Sequence, residues 1–115
     1  MKRRVTTHVL DLASGRPGAG IPVLLERATG DTDWDVIGRA STDGAGRAEP
    51  LTEPGRGLIR GIYRLTFETD GYFRARGAEY LYPVITVVFR VEHPDEDYHL
   101  PILLSPFGFS TYRGS

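Results

Sequence analysis

Clusters of turn-forming residues recur along this chain so often that long regular elements have little room. Ser14-Gly15-Arg16-Pro17-Gly18-Ala19-Gly20, Asp43-Gly44-Ala45-Gly46 and Glu53-Pro54-Gly55-Arg56-Gly57 are each rich in residues that tolerate or preset tight turns. Short strands fit between them. In Tyr63-Arg64-Leu65-Thr66-Phe67-Glu68 apolar and polar side chains alternate, which sends Tyr63, Leu65 and Phe67 to one face of a strand. Across 84–92, Ile85, Val87, Phe89 and Val91 share a face, and β-branched residues reinforce the strand. Further strands are expected at Ile21 to Arg27, at Trp34 to Ser41 and at Val5 to Asp11, the last with Thr6, His8 and Leu10 on one side.

Six or more short strands imply a sandwich. Only Thr69 to Ala78 offers a helix, with Thr69 or Asp70 as N-cap and Gly77 as a stop. Along Asp97 to Ser105, Tyr98, Leu100, Ile102 and Leu104 line one face, so His99 points the other way with Asp97, Pro101 and Leu103. Pro101 is awkward there, because a proline cannot donate to a ladder and usually marks an edge or a bulge. Its place stays open at this level.

At 115 residues the chain fits one domain, 1–115, without repeats or linker-like segments. A domain this small hides only about 60–70% of its unfolded surface, which makes association a natural remedy. Fourteen basic residues against fifteen acidic ones, with no long Lys/Arg run, argue against a nucleic-acid partner. After Lys2-Arg3-Arg4 comes Val5-Thr6-Thr7-His8, not the apolar stretch of about 7–15 residues that a secretory signal needs. No membrane segment is visible, and the expected location is cytoplasmic. With no cysteine, disulfides, thiolate metal sites and a cysteine nucleophile are excluded together.

Three histidines are present, and His8 and His99 stand out because each lies on an expected strand. Imidazole titrates near neutrality and can move protons at working pH. His93, beside Pro94 and an acidic cluster, is read as a loop residue. No metal site is expected, since HExxH, a two-apart histidine pair and thiols are all missing. Ser110 and Ser115 lack the GxSxG elbow that would make a serine a nucleophile. Arg47, just after the Asp43–Gly46 turn, can project a planar donor fork toward a carbonyl-rich ligand or simply be solvated. Within the acidic run Glu92, Asp95, Glu96, Asp97, only Asp97 shares a strand face with His99 and is placed to orient its ring.

Two terminal motifs carry a resemblance. The opening Thr6-Thr7-His8-Val9-Leu10-Asp11, leading through Gly15-Arg16-Pro17 into Gly20-Ile21-Pro22-Val23, is similar to the start of the transthyretin-related 5-hydroxyisourate hydrolases. The stretch from Tyr98-His99-Leu100-Pro101 to the final Tyr112-Arg113-Gly114-Ser115 resembles that family's closing segment, and Thr42-Asp43-Gly44-Ala45-Gly46-Arg47 its turn-plus-arginine. The likeness is weaker around 27–38 and 70–82. It implies an all-β, two-sheet antiparallel sandwich with one short helix at about residues 70–78. It also implies hydrolysis of 5-hydroxyisourate in urate degradation, with no cofactor. The implied catalytic set is His8, Arg47, His99 and Ser115; His8, Arg47, Tyr112 and Arg113 are implied to bind substrate. His99 is favoured as the water-activating base, although the two histidines could exchange roles. A homotetramer with sites where subunits meet is implied as well. One departure is that many relatives carry histidine where this chain has Asp97.

Two rivals remain: a non-catalytic carrier of a small aromatic ligand on the same fold, and a β-sandwich module that binds protein. The carrier transthyretin lacks the Tyr-Arg-Gly-Ser tail and the histidine and arginine set. The interaction module leaves that tail unexplained.

Overall fold

A computed structural model describes residues 4–49, 51–52 and 57–115. Most of the turn cluster at 53–57 and the start of Lys2-Arg3-Arg4 lie outside the described residues. The strands are β1 (Val5–Asp11), β2 (Arg16–Pro17), β3 (Pro22–Ala28), β4 (Trp34–Ser41), β5 (Arg47–Ala48), β6 (Gly61–Phe67), β7 (Ile85–Val91), β8 (Tyr98–Ser105) and β9 (Gly108–Thr111). One helix, α1 (Asp70–Ala75), lies between β6 and β7. The result is the expected two-sheet sandwich.

One sheet runs β2-β1-β8-β9, with β5 also pairing along β1; the other runs β4-β3-β6-β7. Among the described residues all pairings are antiparallel except β1 with β8, which is parallel in the register Val5↔Tyr98 to Asp11↔Leu104. Strand alternation then decides what is buried. Val5 and Val9 from β1 meet Tyr98, Leu100, Ile102 and Leu104 from β8 in the inter-sheet core, facing Leu25, Tyr63, Leu65 and Phe67. Thr6, His8 and His99 consequently point outward and are only partly buried.

Two polar side chains caught inside are satisfied locally, whereas the buried Arg27 Nε has no hydrogen-bond partner among the described residues. Thr7 donates to the Leu100 carbonyl (2.6 Å), and the Tyr72 hydroxyl donates to the Asp11 carboxylate (2.6 Å), tying α1 to β1. Burial and the neighbouring Asp11 push the Tyr72 phenol up to about 12. The helix is shorter than the expected 70–78. Thr69 holds the N-cap position, but its hydroxyl donates to the Tyr82 carbonyl (2.7 Å) and not to the helix. Gly77, at φ 64°, ends it in the left-handed conformation that glycine adopts at low cost.

Pro101 proves compatible with an inner strand. Its main-chain groups face β9, because the flanking Leu100 carbonyl turns to β1 and the Pro101 carbonyl accepts from the Thr111 hydroxyl (2.9 Å). On that side the β8–β9 ladder begins only at Ile102↔Thr111, and the next contact is the isolated bridge His99↔Gly114. The missing N–H falls in the gap between them.

Candidate active site

The outward face of β1, β5 and β8 carries the site. His8 lies opposite Arg47 in the β1–β5 ladder, and Thr6 opposite His99 in the parallel β1–β8 ladder. The turn before β5 explains why Arg47 arrives there. The Asp43 carboxylate accepts from the Ala45 and Arg47 N–H groups (2.9 and 3.0 Å), and these bonds with the nearby guanidinium hold its pKa below the usual carboxylate value. Gly46 then adopts φ 81° and passes so close to β1 that a Cβ would stand 2.4 Å from the Val9 carbonyl oxygen. Its own carbonyl accepts from the Val9 N–H at 2.7 Å. With the turn thus fixed, Arg47 enters the ladder beside His8. Its guanidinium makes no hydrogen bond or ion pair with another described residue.

An open groove of about 820 Å³ runs over this face, lined by Thr6, Arg47, Glu49, Glu96, Asp97, His99 and the tail Tyr112 to Ser115. His8 stands beside the groove and does not line it. Its Nε2 lies 2.8 Å from the Ala45 carbonyl, which can only accept, so Nε2 carries a proton and any lone pair of the ring sits on Nδ1. In His99, Nδ1 meets the Thr6 hydroxyl at 2.8 Å, and Nε2 has no hydrogen-bond partner among the described residues. Burial lowers the His99 pKa, the Arg47 and His8 charges lower it further, and Glu49 and Thr6 oppose them in part.

The tail closes one side of the groove. The Gly114 N–H donates to the His99 carbonyl (2.7 Å), and a Cβ on Gly114 would stand 2.7 Å from His99 Cδ2. The Arg113 guanidinium is occupied: it lies 4.2 Å over the Tyr98 ring and donates to Glu96 (3.1 Å) and to the Asp97 carbonyl (3.0 Å). Tyr112, 54% exposed, and the exposed Ser115 remain open to the groove.

All the expected site residues therefore gather on this face, in two ways that the sequence did not indicate. The group at His99 Nδ1 is Thr6, where Asp97 was expected; an Asp97 carboxylate oxygen accepts from the Arg4 N–H (3.0 Å). Arg113 fastens the tail. Thr6 had one signal that could have found it, namely its place on the same strand face as His8; Gly114 had only its position in the closing motif. Among the described residues no three His, Asp or Glu side chains are grouped to hold a metal ion.

Residues 5–114 match the sequence model of the HIUase/Transthyretin family. The chain belongs to that family. Its relatives include 5-hydroxyisourate hydrolase 2 of Rhizobium meliloti, 43% identical over 97% of this chain and 96% of that protein. Another is the 5-hydroxyisourate hydrolase of Mus musculus, 39% identical over 96% of this chain and 94% of that one. Among solved structures, the Klebsiella pneumoniae 5-hydroxyisourate hydrolase superposes with TM-score 0.83 at 32% identity, covering 98% and 94% of the two chains. Sea bream transthyretin, in a complex with thyroxine, superposes with TM-score 0.87 at 29% identity, covering 96% and 93%. HIUase/Transthyretin architecture is therefore shared by hydrolases and a thyroxine-bound transthyretin, and the outward face has to tell them apart.

Proposed function

We infer that this chain is a 5-hydroxyisourate hydrolase, converting 5-hydroxyisourate to 2-oxo-4-hydroxy-4-carboxy-5-ureidoimidazoline in urate degradation. The observation that carries the reading is the convergence of His99, Arg47 and the Tyr112–Ser115 tail on one groove, with His8 alongside.

The chemistry follows from what each group can do. A lactam carbonyl attacked by water gains negative charge on oxygen, while the water must lose a proton. His99 acts as the base, since burial and the adjacent positive groups keep its ring neutral at pH values where a free imidazole would already be protonated. Arg47, with no partner among the described residues, receives the oxyanion. The C–N bond then breaks and the ring opens, the ring nitrogen takes the proton back from the His99 imidazolium, and the former carbonyl carbon becomes a carboxylic acid that loses its proton to solvent. His8 presents Nδ1 to the water or to the substrate. Tyr112 offers its hydroxyl and ring edge, Ser115 helps to hold the water, and Arg113 keeps this tail in place. A base and an oxyanion stabiliser suffice, so no cofactor takes part.

The same proposal takes 1–115 as one domain, places it in the cytoplasm and assembles it as a homotetramer whose subunits meet over the groove. Association is supported by apolar side chains left in water at the β8–β9 hairpin: Phe107 is 65% exposed and Phe109 39%. No helix among the described residues is long and apolar enough to cross a membrane. The test is to generate 5-hydroxyisourate with urate oxidase, add the purified protein and follow ultraviolet absorbance. Decay faster than the spontaneous background is expected, and decay at the background rate removes the reading. Light scattering on the same sample checks the tetramer.

A further inference from the structure

The base assigned to His99 works only if its neutral ring keeps the lone pair on the nitrogen that faces the groove. Histidine has two neutral tautomers, and the wrong one turns the base into a donor. The Thr6 hydroxyl lies 2.8 Å from His99 Nδ1. That contact is compatible with either tautomer, because a hydroxyl both donates and accepts.

The role of the base decides between them. A base that draws a proton from groove water through Nε2, which has no hydrogen-bond partner among the described residues, holds its own proton on Nδ1, and the Thr6 hydroxyl is then the acceptor. The parallel register Thr6↔His99 holds the hydroxyl there, because both residues lie within continuous strands. On the other side of the ring, Gly114 stands against Cδ2 and limits its rotation.

We propose that Thr6 is a positioning residue that accepts the Nδ1 proton of His99 and so presents the Nε2 lone pair to the groove. It touches no reacting atom; it acts through the imidazole. This deepens the hydrolase reading and rests on it, while the tautomer itself can be measured without substrate.

The test uses the full chain with Thr6→Val, which keeps the β-branched shape and removes the hydroxyl, and Thr6→Ser, which restores it. Nitrogen-15 NMR of the His99 ring at a pH where it is neutral reports which nitrogen bears the proton. The wild-type protein is expected to carry it on Nδ1. In Thr6→Val a fraction shifts to Nε2, and kcat falls roughly three- to tenfold, the effect of one net hydrogen bond, with KM within about twofold. Thr6→Ser should return both readouts to wild-type values. A wild-type ring protonated on Nε2, or a Thr6→Val protein with unchanged tautomer and kcat, overturns the assignment. If the wild-type protein fails to accelerate decay of 5-hydroxyisourate, the hydrolase reading fails while the NMR result still decides what Thr6 does.

Discussion

Replacing Gly114 by alanine tests how tightly the tail must sit on the base. The added Cβ would lie 2.7 Å from His99 Cδ2 and 3.2 and 3.3 Å from two carbons of the Pro101 ring, whereas ordinary contact begins at 3.4 Å. Something must move by about 0.7–1 Å, the difference between the 2.7 Å separation at His99 Cδ2 and normal van der Waals distance. The ring is held at Nδ1 by Thr6, and β8 is an inner strand, so the tail is the part that yields. The bond from the Gly114 N–H to the His99 carbonyl, now 2.7 Å, stretches to or beyond the limit of a useful hydrogen bond. Displacing catalytic groups by about 1 Å costs on the order of 100-fold in rate. We therefore expect kcat/KM for 5-hydroxyisourate to fall about 100-fold in the ultraviolet decay assay. Stability should change by no more than about 1 kcal/mol, because one exposed-edge hydrogen bond is all that is lost. Wild-type turnover in the alanine variant would refute the argument that the tail must pack on the imidazole, and global unfolding would refute its confinement to the tail.

Deleting Tyr112–Ser115 should abolish turnover while light scattering still shows the wild-type assembly; an active truncated protein would mean that the tail is no part of the site. Arg47→Met should lower kcat by roughly 10²–10³-fold, the usual loss on removing an oxyanion donor, with an unchanged far-ultraviolet circular dichroism spectrum. Because folded His99 binds its proton less tightly than a free imidazole of pKa 6.5, kcat/KM should hold as pH falls through 6.5 and drop only below it. On the same grounds the unfolded chain protonates first, so stability falls as pH drops from 6.5 to the folded value and is flat beneath. In Arg47→Met an NMR titration of His99 should move up toward 6.5, since a like charge has been removed; a downward move would contradict the assigned cause. Tyr72→Phe takes a donor from the buried Asp11 carboxylate and should cost about 1–3 kcal/mol, or roughly 5–15 °C in Tm by calorimetry, with activity retained.

The positions of the longer strands were legible in the sequence. β1 and β4 have the expected bounds, Val5–Asp11 and Trp34–Ser41, and β6 buries Tyr63, Leu65 and Phe67 as the pattern requires. The two-residue strands β2 and β5 were not legible, because each exists only by pairing with β1 and has no period of its own. The parallel pairing of β1 with β8 was hidden for the same reason: alternation gives a strand its faces but says nothing of its neighbour's direction. This pairing sets Thr6 beside His99, and that is why Asp97, the polar residue nearest in sequence, looked like the orienting group. The site residues themselves came from the terminal motifs. Their convergence came from register.

Superposition alone does not separate hydrolase from transthyretin, since this chain fits the first at TM-score 0.83 and the second at 0.87. The reason is physical. The buried core is built from the inward positions of the strands, and His8, Arg47, His99 and the tail all occupy outward ones. Outward positions on a sandwich are normally wet and nearly neutral for folding, so they can change chemistry without disturbing the layers beneath. What makes this particular face more than a wet surface is its register: β5 sets a guanidinium beside one imidazole, the parallel β8 sets the other beside a threonine, and the chain end folds back over the second ring. The guanidinium lowers the pKa of His99, the threonine hydroxyl bonds its Nδ1, and the chain end packs against its ring. A surface histidine without them would titrate like a free one, and no core substitution could turn it into a base.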